Sequence, residues 1–303
     1  MIVNTALLIK GVKAEYEKAA REMNIARNLM YKDLFTVAPS TAAYENYAWL
    51  GNLPQLREWK GRKSAKSLKD NKYQIINKDW EGTLEVDRNE VEDDQLSAIR
   101  PRCMFLSQQA VKFPHILVSN LIKNGDSGLA YDGVSFYNAV ARTGQTFANS
   151  LTGTGVTDAQ FAADLQASRA AMMSFLDDYG EPMGLIGDTV VVPPSLEGVA
   201  RRVIRSTTTA GQANPDVINP WEGQIDKIIV DPRLTDVNDW YLNASTYPLR
   251  PFIYQDRKAP VFVALDKPDS PNVFFWRKIY FGVEMRGNAG YGFWQMSVKT
   301  VNA

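Results

Sequence analysis

The sequence predicts an α+β protein, and three features of the chain predict it. A long run from Leu96 to Leu121 repeats apolar residues every three or four positions, the period of a helix with one buried face. Between 158 and 230 helical and strand patterns alternate, and from 240 onward the chain is rich in β-branched and aromatic runs. With 303 residues, 45% of them hydrophobic, it can bury the core of one large domain or of two coupled ones.

Residues 12–30 read as a helix, with Val12, Tyr16, Ala19, Met23 and Leu29 or Met30 near helical spacing. The pattern suits an arm on a neighbour and a surface helix on its own domain equally well. From Tyr44 to Gly61 aromatics and turn formers indicate a strand leading away from the core. The segment RKSAKSLKDNK then carries Arg62, Lys63, Lys66, Lys69 and Lys72 against Asp70, so it reads as a solvated tip.

Tyr73 to Arg88 returns as a strand in which Trp80, Leu84 and Val86 share one face and Thr83, Glu85 and Asp87 the other. Glu90, Glu92, Asp93 and Asp94 follow, which makes this extended hairpin basic at its tip and acidic at its base. At about 3.3 Å per residue the two ends lie too far apart to pair within one molecule. Neighbouring copies could pair them; the plainer alternative is two solvated faces.

Asp93 or Asp94 is a suitable N-cap for the long helix, whose stripe holds Leu96, Ile99, Cys103, Leu106, Ala110, Phe113, Leu117 and Leu121. Pro101 and Pro114 predict a short first segment or a kink, and Gly125 an end. The glycine- and threonine-rich stretch from 124 to 158 reads as loop without a regular core element.

A second helix is expected from Asp158 through Asp178 with Phe161, Leu165, Met172, Phe175 and Leu176 inward, then a buried strand from Gly184 to Val192. Pro193 and Pro194 stop that strand, Ser195 is placed to cap a helix containing Leu196, Val199, Val203 and Ile204, and a strand spans Ile225 to Val230. Further strands are expected at 240–242, 252–254, 261–265 and 273–285, with a hairpin turn over Arg286 to Gly292.

Composition removes several function classes. Lysine plus arginine and aspartate plus glutamate both total 34, so no global field draws the chain to nucleic acid or an anionic membrane. A single cysteine, Cys103, and a single histidine, His115, are too few for a Cys/His zinc site and allow no intrachain disulfide. Cys103 is expected in the core, and His115 as a packed or surface residue rather than a catalytic base. GTGVT lacks the lysine of a phosphate loop. The start of the chain shows no export signal, and no apolar run approaches the roughly 20 residues of a membrane span, so a cytoplasmic location is expected.

Longer patterns go further. The stretches YAWLGNLPQLREWKGRK at 47–63, YQIINKDWEGTLEVDRNEVEDDQL at 73–96 and LIKNGDSGLAYDGVSF at 121–136 resemble the major head subunit of Mu-like bacteriophages. Three later stretches resemble the wider family: DTVVVPPSLEGVAR at 188–201, NPWEGQIDKIIVDPRLTDVNDWYL at 219–242 and RKIYFGVEMRGNAGYGFWQMSVK at 277–299. The resemblance spans most of the chain. One departure is NAVARTG after YDGVSFY, where relatives tend to carry an acidic or His-Pro turn.

The resemblance implies the Hong Kong-97-type capsid fold. Carried over by segment, 1–54 becomes an N-terminal arm, 55–92 the extended hairpin loop, 93–179 a peripheral domain with its spine helix, 180–250 an axial domain, and 251–303 strands returning to the peripheral domain. It implies a structural protein without catalytic, metal or cofactor residues, which assembles with itself as pentamers and hexamers into the head shell of a tailed phage or prophage. The implied partners are a separate scaffold protein, a portal, a decoration protein and packaged double-stranded DNA touched non-specifically, with no membrane. The implied place is the virion capsid, assembled in the bacterial host cytoplasm. Intersubunit contacts are expected at Arg57, Trp59, Lys60, Arg62, Lys63, Lys66 and Trp80 on the hairpin and at Glu90, Glu92, Asp93 and Asp94 at its base. No Lys–Asn crosslink is assigned. The rival readings are an encapsulin-like compartment of the same fold and a carboxylate hydrolase using Asp177, Asp178, Glu222 or Asp226.

Overall fold

The computed structural model describes residues 11, 14, 18, 30–47, 50, 73–89, 96–178, 180–208, 218–267 and 270–302. Of the helix expected at 12–30, Ala14 and Lys18 are helical, Met30 begins a 3₁₀ turn, and the remainder lies outside the described residues. So do the far part of the hairpin and its acidic base.

Two sheets carry the chain. The first is four-stranded in the order β1 (Phe35–Pro39), β9 (Phe252–Leu265), β10 (Lys278–Tyr291), β4 (Lys78–Asp87). The second is five-stranded: β5 (Ser150–Thr152), β11 (Ser297–Val301), β8 (Trp240–Asn243), β6 (Thr189–Val192), β7 (Lys227–Val230). A short antiparallel pair, β2 (Tyr44–Asn46) with β3 (Gln74–Ile76), lies at the root of the hairpin.

Helix α1 (Leu96–Lys123) crosses the first sheet. Both prolines lie inside it, so the helix continues through Pro101 and Pro114 and stops just before Gly125. Pro114 leaves the carbonyl of Ala110 without its helical donor. Burial of Cys103, Ala110, Val118 and Ile122 against the sheet outweighs that loss. The approach is close: a Cβ on Gly82 of β4 would come within 2.9 Å of Leu106 Cδ1. On β4, Trp80 and Leu84 are half-buried and Val86 is buried, whereas Thr83 and Glu85 are exposed, as the alternation predicts.

Helices α2 (Asp158–Ser174) and α3 (Glu197–Arg205) pack together, and α2 also packs against β8 and β11. The first turn of α2 is fixed by Thr157 and Gln160, which form a capping box. The helix stops four residues before the expected Asp178, and Phe175 turns back into the core. Ser195 does not cap α3: Leu196 precedes the helix, and the Ser195 hydroxyl donates instead to the Val237 carbonyl. Residues 184–188, expected as strand, are irregular, and Asp188 there accepts bonds from Ser245, Thr246 and Thr189.

Four expectations change for tertiary reasons. Residues 252–265 form one strand, although DRKAP in its middle reads as a break, because β10 pairs with it across that stretch and a bulge at 284–287 absorbs the irregularity. The predicted turn at 286–291 is strand, and Gly287 is required there, since a Cβ would meet Gln255 O at 2.5 Å. Residues 273–276, expected in a strand, belong to a short helix, α4 (Pro271–Trp276). The loop from 124 to 158 contributes Phe136, Tyr137 and Asn149 to the deep core, and Arg142 holds it by bonds to Asp132, Asn149 and the Ser135 carbonyl.

The main core joins both sheets through Phe136, Phe252, Tyr291, Trp240 and Trp294. A smaller core under the far end of the first sheet holds Val86, Cys103, Val273, Ile279 and Phe281, so Cys103 is the small buried residue its stripe suggested. The second sheet gathers strands from both sides of 180 and 251: α2 packs on it, and β11 pairs with β8 within it.

Candidate assembly surfaces

Trp80 is the one residue among the expected intersubunit contacts that lies within the described residues. Its ring packs on Phe113 of α1 with centroids 4.6 Å apart, and its Nε1 donates to Gly287 O at 2.9 Å. Leu106, Met285 and Val283 join these rings around a cleft of about 120 Å³. Trp80 therefore ties α1 to β4 and β10 within one subunit and keeps only the smaller part of its surface exposed. Trp80→Ala is expected to destabilise the unassembled chain by about 2 kcal/mol, read from urea unfolding. An unchanged midpoint would assign the ring to contacts outside its own subunit. Arg57, Trp59, Lys60, Arg62, Lys63, Lys66, Glu90, Glu92, Asp93 and Asp94 lie outside the described residues.

The outer face of the first sheet is charged near β4. Lys278 Nζ lies 2.7 Å from Glu85 Oε1, and Tyr280 donates to Glu85 Oε2 at 3.0 Å. Those two bonds hold the Glu85 carboxyl below its usual range. Lys258–Glu284 and Arg286–Asp79, both 3.3 Å, continue the ladder of pairs. All of them are solvent-facing, so they set surface pattern more than stability.

On β9 the same face turns apolar. Val261, Val263 and Leu265 share one parity, are exposed, and stand opposite Glu284, Gly282 and Tyr280. Beyond them α4 presents Phe274, Phe275 and Trp276, exposed at 72%, 70% and 73%. Their outward placement follows from the way α4 is anchored. Val273 is buried in the smaller core, Asn272 Nδ2 donates to Leu265 O at 3.1 Å and Lys278 O at 2.7 Å, and Arg277 closes the helix in the left-handed region at φ 53°. With Val273 inward, the next three side chains point away from the sheet. The strand reading missed this group; Ser270 followed by Pro271 is the helix-start signal that would have found it.

The second sheet is held by buried polar ties. Lys299 Nζ lies 2.8 Å from Asp126 and 2.9 Å from Asp239. Burial works against its charge, but the bonds to the two carboxylates hold its pKa above the usual lysine value. Asn302 bonds through its backbone N–H to Asp239 and through its side chain to Asn238 O, which fixes the end of β11.

The acids considered for hydrolysis do not converge. Asp177 closes a turn with Glu181, Asp178 is exposed beside it, and Glu222 and Asp226 are exposed on the turn that leads into β7. None of the four lines the cleft at Trp80 or the one between α2, α3 and Trp221. Among the described residues no group of three or more metal-ligating side chains occurs, and no helix is long and apolar enough to cross a membrane.

Comparison with known proteins places this architecture. The major head subunit of the Mu-like prophage FluMu of Haemophilus influenzae (strain ATCC 51907 / DSM 11121 / KW20 / Rd) is 25% identical over 290 residues, 96% of this chain and 72% of that protein. The major capsid protein of Escherichia phage Mu is 25% identical over 268 residues, 88% of this chain and 65% of that protein. Among solved structures, the procapsid of bacteriophage JBD30 superposes with a TM-score of 0.54 at 25% identity, over 98% of this chain and 76% of that one. A virus-like particle from Pyrococcus furiosus has a TM-score of 0.53 at 10% identity, over 96% and 98%, a likeness of fold alone. The neighbours are Hong Kong-97-like capsid proteins, and nothing in the comparisons supports the compartment or hydrolase readings. The model of the Mu-like prophage major head subunit gpT matches residues 5–161, 152–234 and 233–303, so with the capsid architecture described above this chain belongs to that family, whose members are the structural subunits of the phage head.

Proposed function

We propose that many copies of this chain associate, as pentamers and hexamers, into a closed icosahedral shell that encloses packaged double-stranded DNA. Membership of the head-subunit family over nearly the whole chain carries this reading. In it, 93–179 with α1 as its spine helix is the peripheral domain, 180–250 the axial domain, and 251–303 the strands that return to the peripheral domain. Residues 1–54 are then an arm, and 55–92 the hairpin loop laid over a neighbour. Assembly takes place in the bacterial host cytoplasm with a separate scaffold protein, and a portal and a decoration protein complete the head.

The hairpin charges, Arg57, Lys60, Arg62, Lys63 and Lys66 toward the tip and Glu90, Glu92, Asp93 and Asp94 at the base, pair between copies, and Trp59 adds an apolar contact. The aromatic group on α4 is a second contact that the hairpin pattern does not include. The chain's balance of 34 basic and 34 acidic residues suits a container wall, because a strongly basic lining would bind DNA before packaging.

Negative-stain electron microscopy with sedimentation, on the chain alone and with its scaffold, tests the proposal. Closed angular shells or curved sheets are expected, and a small monodisperse species in both cases would overturn it. Protein cargo in place of nuclease-protected DNA inside native shells would favour a compartment. Arg62→Glu with Lys63→Glu is expected to cut particle yield by about tenfold, the effect of losing two paired interfacial charges, while leaving the unfolding midpoint of the unassembled chain in place. Wild-type yield would remove the basic tip from the contact set.

A further inference from the structure

The chain's single histidine occupies a position that its structural role does not require to be histidine. His115 lies on α1 where that helix meets the segment running from the 3₁₀ turn Met30–Asp33 into β1. Its ring sits edge-on to Phe35 at 5.8 Å and tilted to Tyr31 at 6.3 Å. The Nδ1 atom is buried with no hydrogen-bond partner among the described residues. A phenyl or thioether side chain would fill this slot without leaving a polar atom unsatisfied.

The charged and titratable groups packed around the slot do not favour an imidazolium. The 3₁₀ turn contributes Lys32, whose charge acts on the ring with like sign. Tyr31, on the same turn, is held neutral by burial first and then by Asp231, the buried residue just past β7. Asp231 is itself engaged by the Ser119 hydroxyl of α1 and the backbone N–H of Arg233. Behind Phe35 stands Tyr254 of β9, edge-on at 5.8 Å. A proton on His115 would place an unpaired charge among aromatic rings beside a lysine.

We propose that His115 is an acid-sensitive latch, whose protonation expels the ring from its slot and releases residues 31–39 from the long helix. Opening the slot would loosen the contact of the turn Met30–Asp33 and the start of β1 with α1. Burial, followed by Lys32, lowers the imidazole pKa from 6.5 to about 4. The sign follows from that direction. Above pH 6.5 the ring is neutral whether the segment is docked or released, and docking is at full strength. As pH falls toward 4 the released state takes up the proton and the docked state resists it, so each unit shifts the balance about tenfold toward release.

Hydrogen exchange by mass spectrometry on the full chain, corrected for the intrinsic pH dependence of exchange, tests this directly. Between pH 6.5 and 4.5 protection of residues 31–39 is expected to fall about fortyfold, because the released imidazole is already half protonated at the upper end, while that of β6 and β8 is retained. His115→Phe should keep 31–39 protected through the same range; if that variant does not fold, His115→Met is read in its place. Protection that persists in the wild-type chain down to pH 4.5 would overturn the proposal. So would a loss in the variant at the same pH as in the wild type.

Discussion

Phe136→Ala is expected to destabilise the unassembled chain by about 3–5 kcal/mol, enough to consume much of the stability of an ordinary domain. The residue is fully buried in a stretch whose composition reads as loop. Its ring stacks on Tyr291 of β10 at 4.6 Å, packs tilted on Phe252 of β9 at 5.4 Å and meets Tyr137 edge-on at 5.0 Å. Each neighbour is bound onward, Tyr291 through its hydroxyl to Leu121 O at the end of α1 and Tyr137 to Ser297 of β11. Removing the ring opens a cavity where both sheets and α1 meet. Phe136→Leu should cost about 1–2 kcal/mol, because most of the volume remains. Urea denaturation followed by circular dichroism reads both; a loss below about 1 kcal/mol for the alanine variant would show that the loop is not part of the cooperative core.

The second large effect concerns assembly and leaves the subunit fold intact. Phe274→Ser with Trp276→Ser should reduce the yield of sedimenting particles by about tenfold or more, since buried aromatic anchors dominate protein contacts. Both side chains are more than 70% exposed in the single subunit, so its unfolding midpoint should move little. Val273 must be left in place, because it is 3% exposed and fills the smaller core. Particles at wild-type yield from the double variant would remove α4 from the assembly contacts. Comparison with Arg62→Glu and Lys63→Glu then separates an apolar contact from a salt-sensitive one, because only the charged contact weakens as ionic strength rises.

Much of the fold was legible wherever one periodicity held without competition. Cys103 and Ala110 on the stripe of α1, the alternation on β4, the inward set Phe161, Leu165, Met172 and Phe175, and the strands at 189–192 and 240–242 follow from spacing and appear where spacing puts them. The boundaries were less legible. Pro101 and Pro114 signal a short first segment or a kink, yet one helix with a buried face runs through both, and DRKAP signals a break that pairing with β10 overrides. In both cases a local preference of a few kcal/mol meets a long-range contact surface that no window of sequence contains.

The assembly site divides in the same way. The charge polarity of the hairpin is a sequence property and needs no coordinates to be seen. Trp80, grouped with those charges by its place in the chain, proves to bond with Gly287 and pack tilted on Phe113, residues that are remote in sequence. The aromatic group on α4 shows the converse. An apolar run such as Val273-Phe274-Phe275-Trp276 is expected inside, and only the anchoring of Val273 and Asn272 to the strand ends turns the other three outward.

By itself the sequence determined the class of this protein, its helix and strand faces, the burial of Cys103 and the family it resembles, because these depend on residue type and spacing along the chain. Tertiary structure alone decided which sheet each strand joins, that the loop around Phe136 is core, that the His115 ring packs on Tyr31 and Phe35, and which aromatics stay exposed. Those outcomes depend on which distant surfaces meet, and the free energy of that meeting is a sum over contacts between residues far apart in the chain.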